Sequence, residues 1–423
     1  MLKPIFLLSL LTLCVTTYSF SQSDSFYLLK PARVFDGELM HDDWVVLVKG
    51  NKIEQAGSMK FKLPANTRII EFPGTTLLPG LIEGHAHLFL HPYNETSWND
   101  QVMLESRAER TVRAVNHAKA TLMAGFTTVR DLGTEGAGYD DKGLKTSIEK
   151  GIIPGPRMLI ASRAIVAKGT YGPRLANVDL ELPQGAAEVG NRAEMEAEVR
   201  LQISKGADLI KIYADYRWGI NNSVAPTFST EEIHAAVEIA RASGRNVAVH
   251  AASVEGMLRA IAAGVHTIEH GDDATDSVYR EMKIRNVALC PTLAAGEATS
   301  SYRGWRKGID PPTDRISLKQ QSFQKAIKAG VTICMGGDVG VFAHGDNVRE
   351  MQLMAEYGMK NLEILKSATS VNAAVFGIAG QVGRIQKGLL ADLIVVEGDP
   401  SKDVKALRRI LFVMKDGLVY KQP

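Results

Sequence analysis

Cysteine is scarce in this chain, three residues in 423. That excludes a disulfide-stapled scaffold, and a chain of this length buries enough surface to need no staple. Aromatics are few at 7%, no basic cluster is interleaved with them, and a net charge of +2 offers no field for a polyanion. Nucleic-acid binding is therefore set aside. Internal repeats and low-complexity stretches are also missing. Apart from the segment from Ile5 to Val15, which follows Lys3 and leads into small and polar residues ending Ser19-Phe20-Ser21, there is no long apolar run and no expected membrane span. That segment has the shape of a secretory signal peptide covering residues 1–21, so the expected location is a periplasm or the cell exterior. Cys14 opens a lipoprotein alternative, against which stands the large Leu13 before it. The other thiols, Cys290 and Cys334, fall in apolar runs and are expected to be buried and free.

What is present is a set of potential metal ligands, each at the end of an apolar run. Leu78-Pro79-Gly80-Leu81-Ile82-Glu83-Gly84-His85-Ala86-His87 ends in two histidines separated by one residue. On a strand, side chains at i and i+2 share a side, so both imidazoles can reach one ion. Leu209 to Tyr213 places Lys211 inside such a run, where an unpaired ammonium is costly. Asn246 to His250 and His266 to His270 each end in histidine, and Val331 to Asp338 ends in aspartate after two glycines that permit close backbone approach. His266 begins its run, which puts it at the opposite end from the other ligands and predicts a structural role. His91, His117 and His234 lie off the pattern and read as packing or surface residues.

Amphipathic helical patterns separate these runs. One begins at Ser229, with Glu232 completing a capping box and Gly244 as its stop; Met257 to Ala263 and Ser322 to Ala329 repeat the scheme before Gly264 and Gly330. Strands alternating with helices imply parallel βαβ units. About eight candidate strands, starting near Gly80, Phe126, Arg157, Asp208, Asn246, His266, Val287 and Val331, suit a (β/α)₈ barrel of the TIM type, in which residues at strand C-terminal ends share one face.

The strand-one motif, the histidines at Positions 250 and 270, Asp338, the segment from Ala368 to Ala374 and the run from Gly388 to Val396 together resemble the amidohydrolase superfamily of metal-dependent hydrolases. Within it, Lys211 is similar to the lysine of the binuclear branch that holds prolidase-like and imidazolonepropionase-like proteins. The resemblance implies a barrel over residues 78–380 and a small β-sandwich built from residues 22–77 and 381–423. It also implies a homo-oligomer. It implies two divalent cations, zinc before manganese or iron: His85 and His87 on one, His250 and His270 on the other, Asp338 on the first, and a carboxylated Lys211 bridging both. A hydroxide shared by the cations would be the nucleophile, and Asp338 would accept its proton and deliver it to the leaving group.

The expected reaction is hydrolysis of an amide in a small molecule such as a dipeptide or an N-acyl amino acid. Loops after the third and fourth strands, Lys168 to Arg174 and Tyr213 to Trp218, should shape the pocket. Tyr171, Tyr213 and Arg217 are the candidates there for stacking on an apolar ring or gripping a carboxylate, and His344 is a further candidate substrate contact. The prolidase-like pattern often has histidine where Tyr171 stands and tyrosine where Ala252 stands. Both differences weigh against a strict dipeptidase. The alternatives are a lactone or cyclic-amide hydrolase, a mononuclear deaminase, which typically has a glutamate where Ser253 stands, and a non-catalytic metal- or ligand-binding barrel.

Overall fold

The computed structural model describes residues 25–177 and 179–423, so the expected signal peptide and Cys14 lie outside the described residues. Both ends of the described chain enter one eight-stranded sheet. Phe26–Phe35 pairs antiparallel with Trp44–Lys49 and parallel with Arg68–Pro79, and Leu393–Glu397 pairs antiparallel with Arg68–Pro79, setting Leu393 opposite Pro79 and Val396 opposite Thr76. The alternating inward residues of these strands and of Ile410–Lys415 in the same sheet, among them Val46, Phe72, Leu77, Val395 and Phe412, form their own buried apolar cluster. Segments more than 300 residues apart in sequence therefore complete one another.

Gly80 carries this sheet into the first ligand strand, Leu81–Ala86. A Cβ there would stand 2.0 Å from Thr127 Oγ1, so only glycine lets the chain pass this close. Leu81–Ala86, Phe126–Asp131 and Arg157–Ile160 form a three-stranded parallel sheet. A six-stranded parallel sheet runs in the spatial order Ala187–Val189, Ile165–Ala167, Leu209–Tyr213, Asn246–Ala251, Thr267–His270 and Ala288–Cys290. Amphipathic helices connect the strands and bury their apolar faces in the largest core cluster. The fold is thus mixed α/β with parallel strands.

Helix ends follow the local chemistry. Thr230–Ala242 starts at the Ser229 cap with its Glu232 capping box in place, and Gly264 and Gly330 close Val254–Ala263 and Asp314–Ala329 in the left-handed conformation. Two helices begin earlier than their apolar periodicity suggests, because Ser253 and Thr313 cap them.

Two expected strands differ. The third is split: Arg157–Ile160 belongs to one sheet and Ile165–Ala167 to the other, separated at Ser162 with φ +62°. The eighth is no regular strand. Parallel bridges of Ile333 with Leu289 and of Val339 with Ala86 carry segment 333–339 between the six-stranded and three-stranded sheets. Asp338 at φ +63° interrupts its extension. Cys290 and Cys334 are buried free thiols. Among the described residues no helix is long and apolar enough to cross a membrane.

Candidate metal centre

Strand register brings the candidate ligands together. Tyr213 pairs with His250 and Ala251 with His270, so Lys211, His250 and His270 sit on three successive strands near their C-terminal ends. The bridge from Ala86 to Val339 lays Asp338 beside the His85–His87 pair. Gly336 makes that approach possible, since a Cβ there would stand 2.4 Å from Cys290 Sγ and 2.8 Å from the His85 amide nitrogen.

Asp338 Oδ1 lies 3.6 Å from His85 Nε2 and 3.4 Å from His87 Nε2. Ligand atoms of His85, His270 and Asp338 all fall within 4.8 Å of one another. The His250 ring centroid is 4.4 Å from that of His270, and the same ring stacks on Tyr213. These groups floor a cavity of about 690 Å³.

Three of the imidazoles are oriented by a hydrogen bond at Nδ1: His85 to Glu269 Oε2, His87 to the Gly133 carbonyl and His270 to Thr292 Oγ1, each at 2.8 Å. For His85 and His87, whose partners can only accept, that leaves Nε2 with the lone pair a cation could use, while the Thr292 hydroxyl orients the His270 ring. His250 instead turns Nε2 toward Asp215 Oδ1 at 3.9 Å. Burial holds His85 and His270 well below the ordinary histidine range and His250 at about 3, so these rings stay neutral and keep a lone pair for a cation.

Lys211 supplies the clearest test of fit. Its Nζ is buried with no hydrogen-bond partner, and burial lowers the ammonium's pKa against the opposing pull of Glu269 and Asp338. An isolated buried ammonium is costly, whereas a neutral amine can be converted into a ligand. Burial likewise raises the Asp338 carboxyl. The neutral imidazoles, a carboxylate and an orphaned amine fit a divalent-metal site.

The surrounding bonds were only partly foreseeable. Glu269 accepts from His85, from Arg130 Nη2 at 2.7 Å and from Thr267 Oγ1 at 2.5 Å. Glu83 accepts from the amides of His85 and Gly337 and from Asn347 Nδ2, which clamps the two ligand segments together. Burial raises the Glu83 carboxyl to about 7. Glu269 and Arg130 carry the same signal as the ligands, a polar residue at a strand's C-terminal end, while Asn347 carries none. Four of the eleven described non-glycine residues in the left-handed region, Glu135, His270, Thr292 and Asp338, line the cavity. Backbone strain of this kind gathers at functional sites.

Tyr171, Tyr213 and Arg217 line the cavity as well. His344 stands apart from that lining: it stacks on His117 at 4.2 Å and bonds through Nε2 to the Leu90 carbonyl. His266 Nδ1 accepts the Val247 amide, His234 bonds the Ala263 carbonyl and His91 bonds Glu105, all away from the cavity.

The family model described as Amidohydrolase family matches residues 76–419. An ochratoxinase from Aspergillus niger is 29% identical over 381 residues, covering 82% of this chain and 76% of its own. An imidazolonepropionase from Sphingopyxis alaskensis is 25% identical over 394 residues, covering 85% of this chain and 88% of its own. Among solved structures, a Xaa-Pro dipeptidase with methionine bound in its active site superposes with a TM-score of 0.83 at 32% identity, over 94% of this chain and 100% of that one.

Proposed function

Since the chain belongs to the Amidohydrolase family and is a hydrolase acting on C–N bonds, we propose that it cleaves a small amide, a dipeptide or an N-acyl amino acid, after export from the cytoplasm. One observation carries this reading: neutral imidazoles and Asp338 converge on the floor of a single cavity, and the orphaned Lys211 amine is buried on the neighbouring strand to His250. The two parallel sheets, joined through segment 333–339, are read as the wall of an eight-stranded barrel over residues 78–380, with the terminal segments 22–77 and 381–423 as its accessory β-domain.

His85, His87 and Asp338 would hold one divalent cation, and His250 and His270 a second, with zinc the best match to this donor set. Bound there, the cations would polarise the scissile carbonyl and lower the pKa of water. Lys211, as the neutral amine, would add to carbon dioxide with loss of a proton, giving a carbamate that would supply a bridging anionic ligand and whose negative charge would suit a site of two cations. Asp338 would take a proton at its carboxylate from the attacking water and return it to the departing amine nitrogen. Glu269 and the Gly133 carbonyl, which can only accept, would keep His85 and His87 in the Nδ1–H tautomer, and Thr292 would orient His270. Tyr171, Tyr213 and Arg217 would position the substrate above them.

Product analysis tests the reading. The metal-loaded enzyme is offered dipeptides, N-acyl amino acids, lactones and aminopurine-type substrates, and the products are identified by mass. Free amino acid from the first two classes is expected. Ring opening of lactones alone, or release of ammonia alone, would replace this reading with lactone hydrolysis or deamination.

A further inference from the structure

Glu135 is a buried acid that the hydrolytic machinery leaves unused. It is 2% exposed, lines the cavity and is held at φ +49°. Its Oε2 accepts Trp98 Nε1 at 3.0 Å and the Tyr171 hydroxyl, whereas Oε1 is buried with no hydrogen-bond partner. Arg110 comes close but gives its N–H groups to the carbonyls of Phe89, Thr134 and Glu135 itself, not to the carboxylate. Arg110's charge acts on the carboxylate from a distance, but Oε1 is left buried without a donor of its own.

Aromatic rings surround it. The Tyr171 ring centroid is 5.0 Å from Trp98, 4.9 Å from Tyr213 and 5.0 Å from Tyr216. Ring faces carry negative potential and attract cations, most strongly where water is excluded. A carboxylate backed by such rings favours a positive group and repels a negative one. Arg217, Arg303 and Arg315 line the same cavity and offer the acid end of a substrate a separate place.

We infer that Glu135, with Tyr171, Tyr213 and Tyr216, forms a site for the ammonium group of the substrate, so that the enzyme takes unblocked dipeptides in preference to N-acylated amino acids. This rests on the amide-hydrolase reading of the same cavity and deepens it. It also reverses the role expected of Tyr171, which is engaged by an acid and is unsuited to gripping a carboxylate.

The first test reads binding and needs no turnover. Phenethylamine and the similarly shaped, uncharged phenethyl alcohol are titrated by calorimetry into the metal-loaded enzyme near neutral pH. The amine should bind about tenfold tighter, and Glu135→Gln, which still accepts from Trp98 and Tyr171, should bring the two within about twofold. Tyr216→Leu, which leaves the Glu135 bonds intact, should reduce the preference several-fold. Equal binding to wild type, failure of the amine to bind, or a preference that survives Glu135→Gln would overturn the site. The second test compares hydrolysis of alanyl-proline and acetyl-proline by the same preparations. If the amine preference holds while neither amide is cleaved, the hydrolase reading fails and the cation site stands. If both are cleaved with equal kcat/KM, unaffected by Glu135→Gln, the cation site fails and the hydrolase reading stands.

Discussion

The floor and the wall of the cavity are built on different principles. Candidate ligands on the floor sit on strands whose register fixes them, and hydrogen bonds at Nδ1 hold three of the imidazoles. Along the wall, Glu135, Tyr171, Tyr216 and Arg217 come from loops and from the short hairpin of Asp215–Arg217 with Val224–Pro226. Rigid placement suits chemistry, and loop placement suits the choice of substrate. Substitutions on the floor should therefore remove turnover, and those on the wall should redirect it.

The sharpest contrast is expected from Asp338→Asn, which should retain bound metal yet lower kcat by about 10³-fold, within the range for loss of a general acid-base group. Metal analysis beside steady-state kinetics checks it, and near-wild-type kcat would remove Asp338 from proton transfer. Lys211→Ala should lower metal content and activity together, with partial recovery of both on adding a short-chain carboxylic acid. A variant that holds its metal unaided would refute the bridging role. Gly336→Ala should destabilise the fold by about 1–3 kcal/mol, the usual cost of overpacking, because the new Cβ meets Cys290 Sγ and the His85 amide. Thermal or urea unfolding reads that loss, and an unchanged midpoint would show that the two segments can separate freely.

On the wall, Arg217→Ala should raise KM about tenfold for substrates with a carboxylate and leave kcat within about twofold, the sign of lost binding shared by ground and transition states. An effect confined to kcat would move Arg217 into the chemistry. A further expected effect lies outside both regions and is seen only in the pH dependence of stability. Burial raises the Asp141 carboxyl to about 7 from an ordinary 3.8, so the folded state binds the extra proton between those values. Its contribution to stability is then full below about pH 4 and is lost as pH rises toward 7. Asp141→Asn should flatten that slope in unfolding measurements across pH 4–7, and an unchanged slope would assign it elsewhere.

The same division explains what could be read from sequence. His85, His87, Lys211, His250, His270 and Asp338 each end or interrupt an apolar run, and a polar residue there has few reasons other than a site. The barrel-like alternation was legible for the same reason, through periodicity and glycine stops. The eighth strand was overestimated because the left-handed Asp338 breaks extension at the end of a run that composition alone marks as β, and only isolated bridges pair it. Glu135 was missed although it follows the second strand closely, since an acid between glycine and threonine in a loop looks solvated until the rings around it are placed. His344 was overvalued on proximity in sequence to Asp338, because the loop turns it onto His117. Sequence distance along a loop does not fix direction.

The central claim is that the floor holds cations on which amide hydrolysis depends. Metal per chain by elemental analysis, taken with dipeptide hydrolysis before chelation, after it and on metal restoration, tests that most directly. The account predicts two divalent ions per chain, loss of hydrolysis on their removal and its return with zinc. Hydrolysis that survives complete metal removal would contradict it.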